Sequence, residues 1–152
     1  MDRYLRDDVL AFTPLHSNQH AYQAGKSVET ALHQLFVRVE KVLDEQEIAL
    51  GAFLDIEGAF NSTGYDTMCD ALVRHGSANT IARWIRATLE ARVAVATLNE
   101  ISLGFAISRG CPQGGVLSPL LWCLVVDEII TRLSGRGVFI QGYVDDMSSS
   151  GG

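Results

Sequence analysis

The chain is poor in cysteine, in positive charge and in long apolar runs, and each shortage removes a class of protein. Three cysteines, Cys69, Cys111 and Cys123, are spread over 152 residues. Their odd number and wide spacing argue against a disulfide scaffold and against a zinc module of paired cysteines. They read as buried small side chains in a reducing compartment. The net charge of −6 argues against a protein that is basic all over and grips nucleic acid by charge alone. No apolar run reaches the roughly 20 residues a membrane span needs, and Met1-Asp2-Arg3-Tyr4 opens no secretory signal. The expectation is an intracellular chain without membrane contact. No internal repeat and no linker interrupts it.

What is present is ordinary globular composition. Hydrophobic residues make up 47% and charged residues 20%, enough apolar side chains for the core of one domain or part of one. The charge is unevenly spread: residues 74–109 hold five Arg against two Glu. Such a segment suits either one nucleic-acid-facing side or a solvated helix face.

Apolar periodicity outlines the elements. Residues 3–10 suit a short helix. Val28, Ala31, Leu32, Leu35, Phe36, Val39, Val42 and Leu43 recur at three and four residues, which predicts a helix to about residue 46. Ser27 is placed to cap it, with Thr30 at the third position. Residues 48–56 are apolar on both faces and predict a central strand. A short helix over 66–74 stops at Gly76, and the next is capped by Ser77 or Asn79. Residues 93–98 and 101–108 predict a hairpin turning at Asn99-Glu100. Ser118-Pro119 starts a strongly apolar helix, and residues 138–144 predict a last strand.

Carboxylates stand where packing alone does not put them. The last strand runs into Asp145-Asp146, and Asp55 sits inside Ala52-Phe53-Leu54-Asp55-Ile56. A buried charge costs several kcal/mol unless it is paired or metal-bound. Laid side by side, the two strands would converge three carboxylates, a set suited to two divalent cations and phosphoryl transfer. Phe60, just past the turn after Asp55, could lie under a nucleotide sugar or simply pack. The loop Arg109-Gly110-Cys111-Pro112-Gln113-Gly114-Gly115 could let backbone approach a nucleotide, with Gln113 as a polar arm, or serve only as a helix entry. Gly25-Lys26-Ser27 lacks the earlier glycine of a phosphate-binding P-loop. His16 and His20 lack a third zinc ligand nearby.

Taken in order, Leu54-Asp55-Ile56-Glu57-Gly58-Ala59-Phe60, Pro112-Gln113-Gly114-Gly115-Val116-Leu117-Ser118-Pro119 and Tyr143-Val144-Asp145-Asp146 closely resemble the successive palm motifs of reverse transcriptases. The similarity is greatest to the non-LTR retrotransposon branch, jockey-like elements in particular. Gln19-His20-Ala21-Tyr22-Gln23-Ala24-Gly25-Lys26-Ser27 resembles that branch's fingers motif. The resemblance implies an α+β, right-hand polymerase palm, an antiparallel sheet packed on helices. Part of the fingers would occupy 1–47, the palm 48–152, cut short after the Tyr-Val-Asp-Asp hairpin tip, and the thumb would be absent. It implies RNA-directed DNA synthesis during retrotransposition, with an RNA template, a DNA primer and dNTPs as partners. Two Mg2+ ions, or Mn2+ in their place, would be held by Asp55, Asp145 and Asp146, which match the catalytic metal ligands. Phe60 matches the sugar gate, Gln113 and Gly114 match residues near nucleotide and template, and Tyr143 matches the residue under the primer end. Ile56, beside Asp55, joins the substrate-binding set, and Lys26 matches a basic fingers position. Location in nucleus and cytoplasm follows from the same resemblance. The rival expectation is a catalytically inactive retroelement remnant that at most binds nucleic acid, and the isolated chain is itself expected to be inactive.

Overall fold

A computed structural model describes residues 1–143. Among them the chain is α+β, with far more helix than strand. It opens with a wide-turned helical stretch over Tyr4–Val9 that tightens into α1, Leu10–Phe12. Then follow α2 (Val28–Asp44), α3 (Ala59–Ser62), α4 (Tyr65–Arg74), α5 (Asn79–Glu90), β1 (Val93–Leu98), β2 (Ile101–Ala106) and α6 (Ser118–Ser134).

The chain forms two compact units, each assembled from distant stretches. The first takes Met1–Leu15 and Glu57–Val125, the second His16–Ile56 and Val126–Gly152.

The first unit is built around α4 and α5, which pack together through Met68, Ala71, Leu72, Ala82, Ile85 and Leu89, all buried. Their apolar residues recur at helical spacing, so each helix covers its stripe against the other. Leu5, Val9 and the start of α6, Leu120 to Leu124, complete this core. Ala78, not Ser77 or Asn79, is the cap residue of α5, and no side chain bonds there. Ser77 is instead buried, so its hydroxyl is not placed to meet the helix end. β1 and β2 form the expected antiparallel hairpin, with Leu98 opposite Ile101 and Asn99 at φ 54° in the turn. Asn tolerates that left-handed geometry better than most residues. Both faces of the hairpin are exposed.

The second unit contains α2, capped as its sequence predicts. The Ser27 side chain accepts from the Thr30 amide, and Thr30 Oγ1 accepts from the Ser27 amide at 2.8 Å. Thr30 thus does the work usually given to Glu in a reciprocal cap.

Two expected strands do not form among the described residues. Residues 47–56 adopt no regular structure and are exposed throughout. Residues 138–143 contain only one parallel bridge, Gln19 to Gly142. Strand propensity is expressed only when a neighbour takes up the backbone hydrogen bonds, and no described strand pairs with 47–56. The only sheet among the described residues is therefore the β1–β2 hairpin, not a sheet packed on helices.

Candidate functional site

The site residues named from sequence fall into both units. Phe60, Gln113 and Gly114 belong to the first; Asp55, Ile56 and Tyr143 belong to the second. Asp145 and Asp146 lie outside the described residues. Asp55 and Ile56 stand exposed in the irregular stretch 47–56, and Tyr143 is also exposed. No group of three His, Cys, Asp or Glu side chains that could hold a metal occurs among the described residues.

In the first unit, two sequence motifs 50 residues apart are joined by backbone. The Cys111 amide donates to the Phe60 carbonyl and the Gly110 amide to the Thr63 carbonyl, each at 2.7 Å. Gly110 has φ +77°, and a Cβ there would come 2.5 Å from the Asn61 carbonyl oxygen. Only glycine allows both the left-handed turn and the close approach. The Phe60 ring, half-buried on α3, lies 6.2 Å from the buried Trp122 ring of α6 at a 47° tilt. Its backbone is thus held by the glycine loop and its ring by α6.

The far end of that loop is also tied. Ser118 Oγ donates to the Pro112 carbonyl at 2.6 Å, and the Gly115 amide donates to the same oxygen at 3.0 Å. Between these anchors Gln113 and Gly114 are exposed, Gly114 at φ +79° with open space around it. Beside them lies a cleft of about 580 Å3 lined by Asn61, Arg92, Arg109, Cys111 and Gln113. The arrangement offers a hydrogen-bonded rim, two exposed backbone positions and a polar arm to a ligand.

Two residues here carried no motif and were not singled out from sequence. Arg92, just after α5, directs Nε to the Leu89 carbonyl at 3.0 Å and a terminal nitrogen to the carbonyls of Gly110 and Arg109 and to the Tyr65 hydroxyl. Tyr65 is buried and its hydroxyl donates to the Ile107 carbonyl at 2.9 Å. A single Arg in a run of Arg looks like surface charge; only the folded chain shows it facing carbonyls. Arg86 is likewise engaged, with Asp66 at 2.5 Å and Glu90 at 2.7 Å, so arginines of the basic segment serve contacts within the chain.

The second unit holds a polar clasp. The His20 amide donates to the Gly142 carbonyl at 2.8 Å and the Gly142 amide to the Asn18 carbonyl at 3.0 Å. The His20 ring bonds Thr30 and Gln34 at 3.1 and 2.7 Å, and Gln34 donates to Asn18 at 2.9 Å. Both ring nitrogens of His20 are used, which removes it as a zinc ligand. Lys26 donates to the carbonyls of Ser17 and Gln19 at 2.6 and 2.7 Å. Burial lowers its pKa, opposed by the nearby Asp127. Its ammonium closes a turn rather than a P-loop.

The family model described as "Reverse transcriptase (RNA-dependent DNA polymerase)" matches residues 1–149. A retrovirus-related Pol polyprotein from the type-1 retrotransposable element R1 of Bradysia coprophila is 30% identical over 140 residues, 92% of this chain and 14% of its own length. A putative 115 kDa protein in the element R1DM of Drosophila melanogaster is 26% identical, covering 85% of this chain and 12% of its own length. A probable RNA-directed DNA polymerase from the X-element of the same fly is 30% identical, covering 77% and 13%. The chain therefore spans only 12 to 14% of the length of these relatives.

Proposed function

Starting from the premise that the chain belongs to the reverse transcriptase family, on its non-LTR retrotransposon branch, we propose that it carries part of the centre that adds deoxynucleotides to a primer 3′-hydroxyl on an RNA template. The observation that supports this most directly is the backbone pairing of Phe60 and Thr63 with Cys111 and Gly110. It brings a candidate sugar-facing ring and a candidate nucleotide-facing loop into one compact unit.

In this reading the chain supplies parts of the palm and fingers. Phe60 bars a 2′-hydroxyl, and Gln113 and Gly114 meet nucleotide and template. Tyr143 supports the primer end and Ile56 the nucleotide. Asp55, Asp145 and Asp146 are the metal ligands. The family works with divalent metal ions, and a set of carboxylates without sulfur or imidazole suits the hard ion Mg2+. The exposed Asp55 carboxylate fits such a role. When bound, the ions would lower the barrier by stabilising charge on the attacking and leaving oxygens.

The test is primer extension on RNA with Mg2+ by a full-length relative whose matching segment is replaced by this chain. Asp145→Asn should reduce extension by at least about 100-fold, the scale of losing one transition-state charge contact. Undiminished extension refutes the assignment. Phe60→Val should raise ribonucleotide incorporation roughly tenfold, as removal of a steric barrier does.

A further inference from the structure

We propose that Arg92 is a positioning residue that holds the nucleotide-facing loop against the Phe60 segment and thereby sets sugar selectivity. The proposal rests on the polymerase reading above and adds a residue to it.

The peptide at Arg109–Gly110–Cys111 is gripped on both edges. Its amides point to the carbonyls of Thr63 and Phe60. Its carbonyls, of Arg109 and Gly110, point the other way and meet Arg92. Three carbonyl oxygens, those of Leu89, Arg109 and Gly110, therefore converge on one guanidinium. Without a cation their dipoles would repel one another across a partly buried space. The Leu89 carbonyl lies at the C-terminal end of α5, where a positive charge is favoured further.

The same residue, through its backbone carbonyl, reaches the root of the hairpin. The Ile107 amide donates to the Arg92 carbonyl at 3.3 Å, so the root of β1–β2 closes on the clamp. Tyr65 bridges it: its hydroxyl accepts from Arg92 at 3.1 Å, donates to Ile107, and its ring lies 5.9 Å from the guanidinium carbon. A planar guanidinium spreads its fixed donors over separate nitrogens, so Nε meets Leu89 while a terminal nitrogen meets Gly110 and Arg109, whereas a lysine ammonium carries all its donors on one atom. Arg92 also lines the cleft beside Gln113. A shift of the Gly110 peptide would alter the gap between the Phe60 ring and Gln113-Gly114, which is the space a sugar would occupy in this reading.

The experiment uses the whole chain, with Arg92→Gln, Arg92→Lys and Tyr65→Phe. Amide hydrogen exchange at Gly110 and Cys111 reads the clamp without any need for activity. Protection there should fall at least about tenfold in Arg92→Gln while the α4 and α5 amides keep theirs, a local opening rather than global unfolding. Unchanged protection overturns the proposal. Titration with Mg-dATP and with Mg-ATP, followed by the Gln113 and Gly114 amide signals, reads the consequence. Arg92→Gln should weaken dATP binding roughly tenfold and bring the dATP-to-ATP ratio close to one, since small misplacements at a site have large effects. Arg92→Lys should fall between the two. Full recovery by Lys would mean that charge alone suffices, and would overturn the fork argument. Should Arg92→Gln fail to fold, Tyr65→Phe carries the test, with smaller changes in the same direction expected and none overturning it. Wild-type chain that binds neither nucleotide overturns the selectivity claim, the polymerase reading being tested separately by primer extension, and the exchange rates then decide the clamp by themselves.

Discussion

Gly110 and Gly114 stand four residues apart, both at positive φ, and they should respond differently to a methyl group. At Gly114 an added Cβ meets nothing within 4 Å. Gly114→Ala should therefore cost only the backbone term of a left-handed residue, about 1–2 kcal/mol. At Gly110 the same change also drives Cβ against the Asn61 and Phe60 carbonyls, and the loss should be about 3 kcal/mol or more. Urea unfolding of the two variants checks the difference. Next to Gly110, burial raises the pKa of the Cys111 thiol, opposed mainly by its contact with Ser118. A thiol that ionises later in the fold than in the unfolded chain costs nothing below the ordinary value near pH 8.5. It subtracts from stability as pH rises through the folded value. Cys111→Ala should thus be less stable than wild type at pH 7, through the cavity it leaves, with the gap narrowing above about pH 8.5. A gap that stays constant to pH 10 would contradict this sign.

At the scale of elements, the start of α2 is both a helix cap and a tie to the polar clasp. Ser27→Ala should cost about 1 kcal/mol, the usual value of one cap. Thr30→Ala should cost more, because Thr30 Oγ1 accepts from the Ser27 amide, donates to the Ser27 carbonyl and bonds the His20 ring. Equal losses in urea unfolding would show that the His20 contact adds nothing. The longer helices and the hairpin were legible in the sequence because their signals are local: apolar spacing, a hydroxyl before Val28, an Asn in a two-residue turn; the single turn of α3 was not. The apolar stripe of α2 was legible too, but its covering was not. Ala31 is buried while Leu32, Phe36 and Leu43 remain exposed, since periodicity names a face and not its partner. Residues 47–56 mark the same limit for a strand: an apolar run states a preference, and a neighbour has to satisfy it.

Across the whole molecule, large apolar side chains lie open. Ile48, Leu50, Phe53 and Leu54 are 85 to 98% exposed, and the hairpin adds Val95, Leu98 and Ile101. Surfaces of this kind drive association. The isolated chain should self-associate as concentration rises, and Leu50→Lys with Phe53→Lys should suppress this in light scattering without lowering helix content. Scattering identical to wild type would assign the association to another surface.

No helix among the described residues is long and apolar enough to cross a membrane, in line with the absence of long apolar runs.

The order of three motifs along the chain was enough to identify the family, because ordered short motifs depend on residue type and spacing alone. Which candidate residues share a compact unit was a matter for the tertiary structure. The carbonyls of Phe60 and Thr63 accept there from the amides of Cys111 and Gly110, in the loop that carries Gln113 and Gly114, and no side-chain pattern encodes such bonds. The placing of Arg92 on three carbonyl oxygens had the same origin: acceptors of the main chain carry no residue identity, so their convergence arises only when the chain folds.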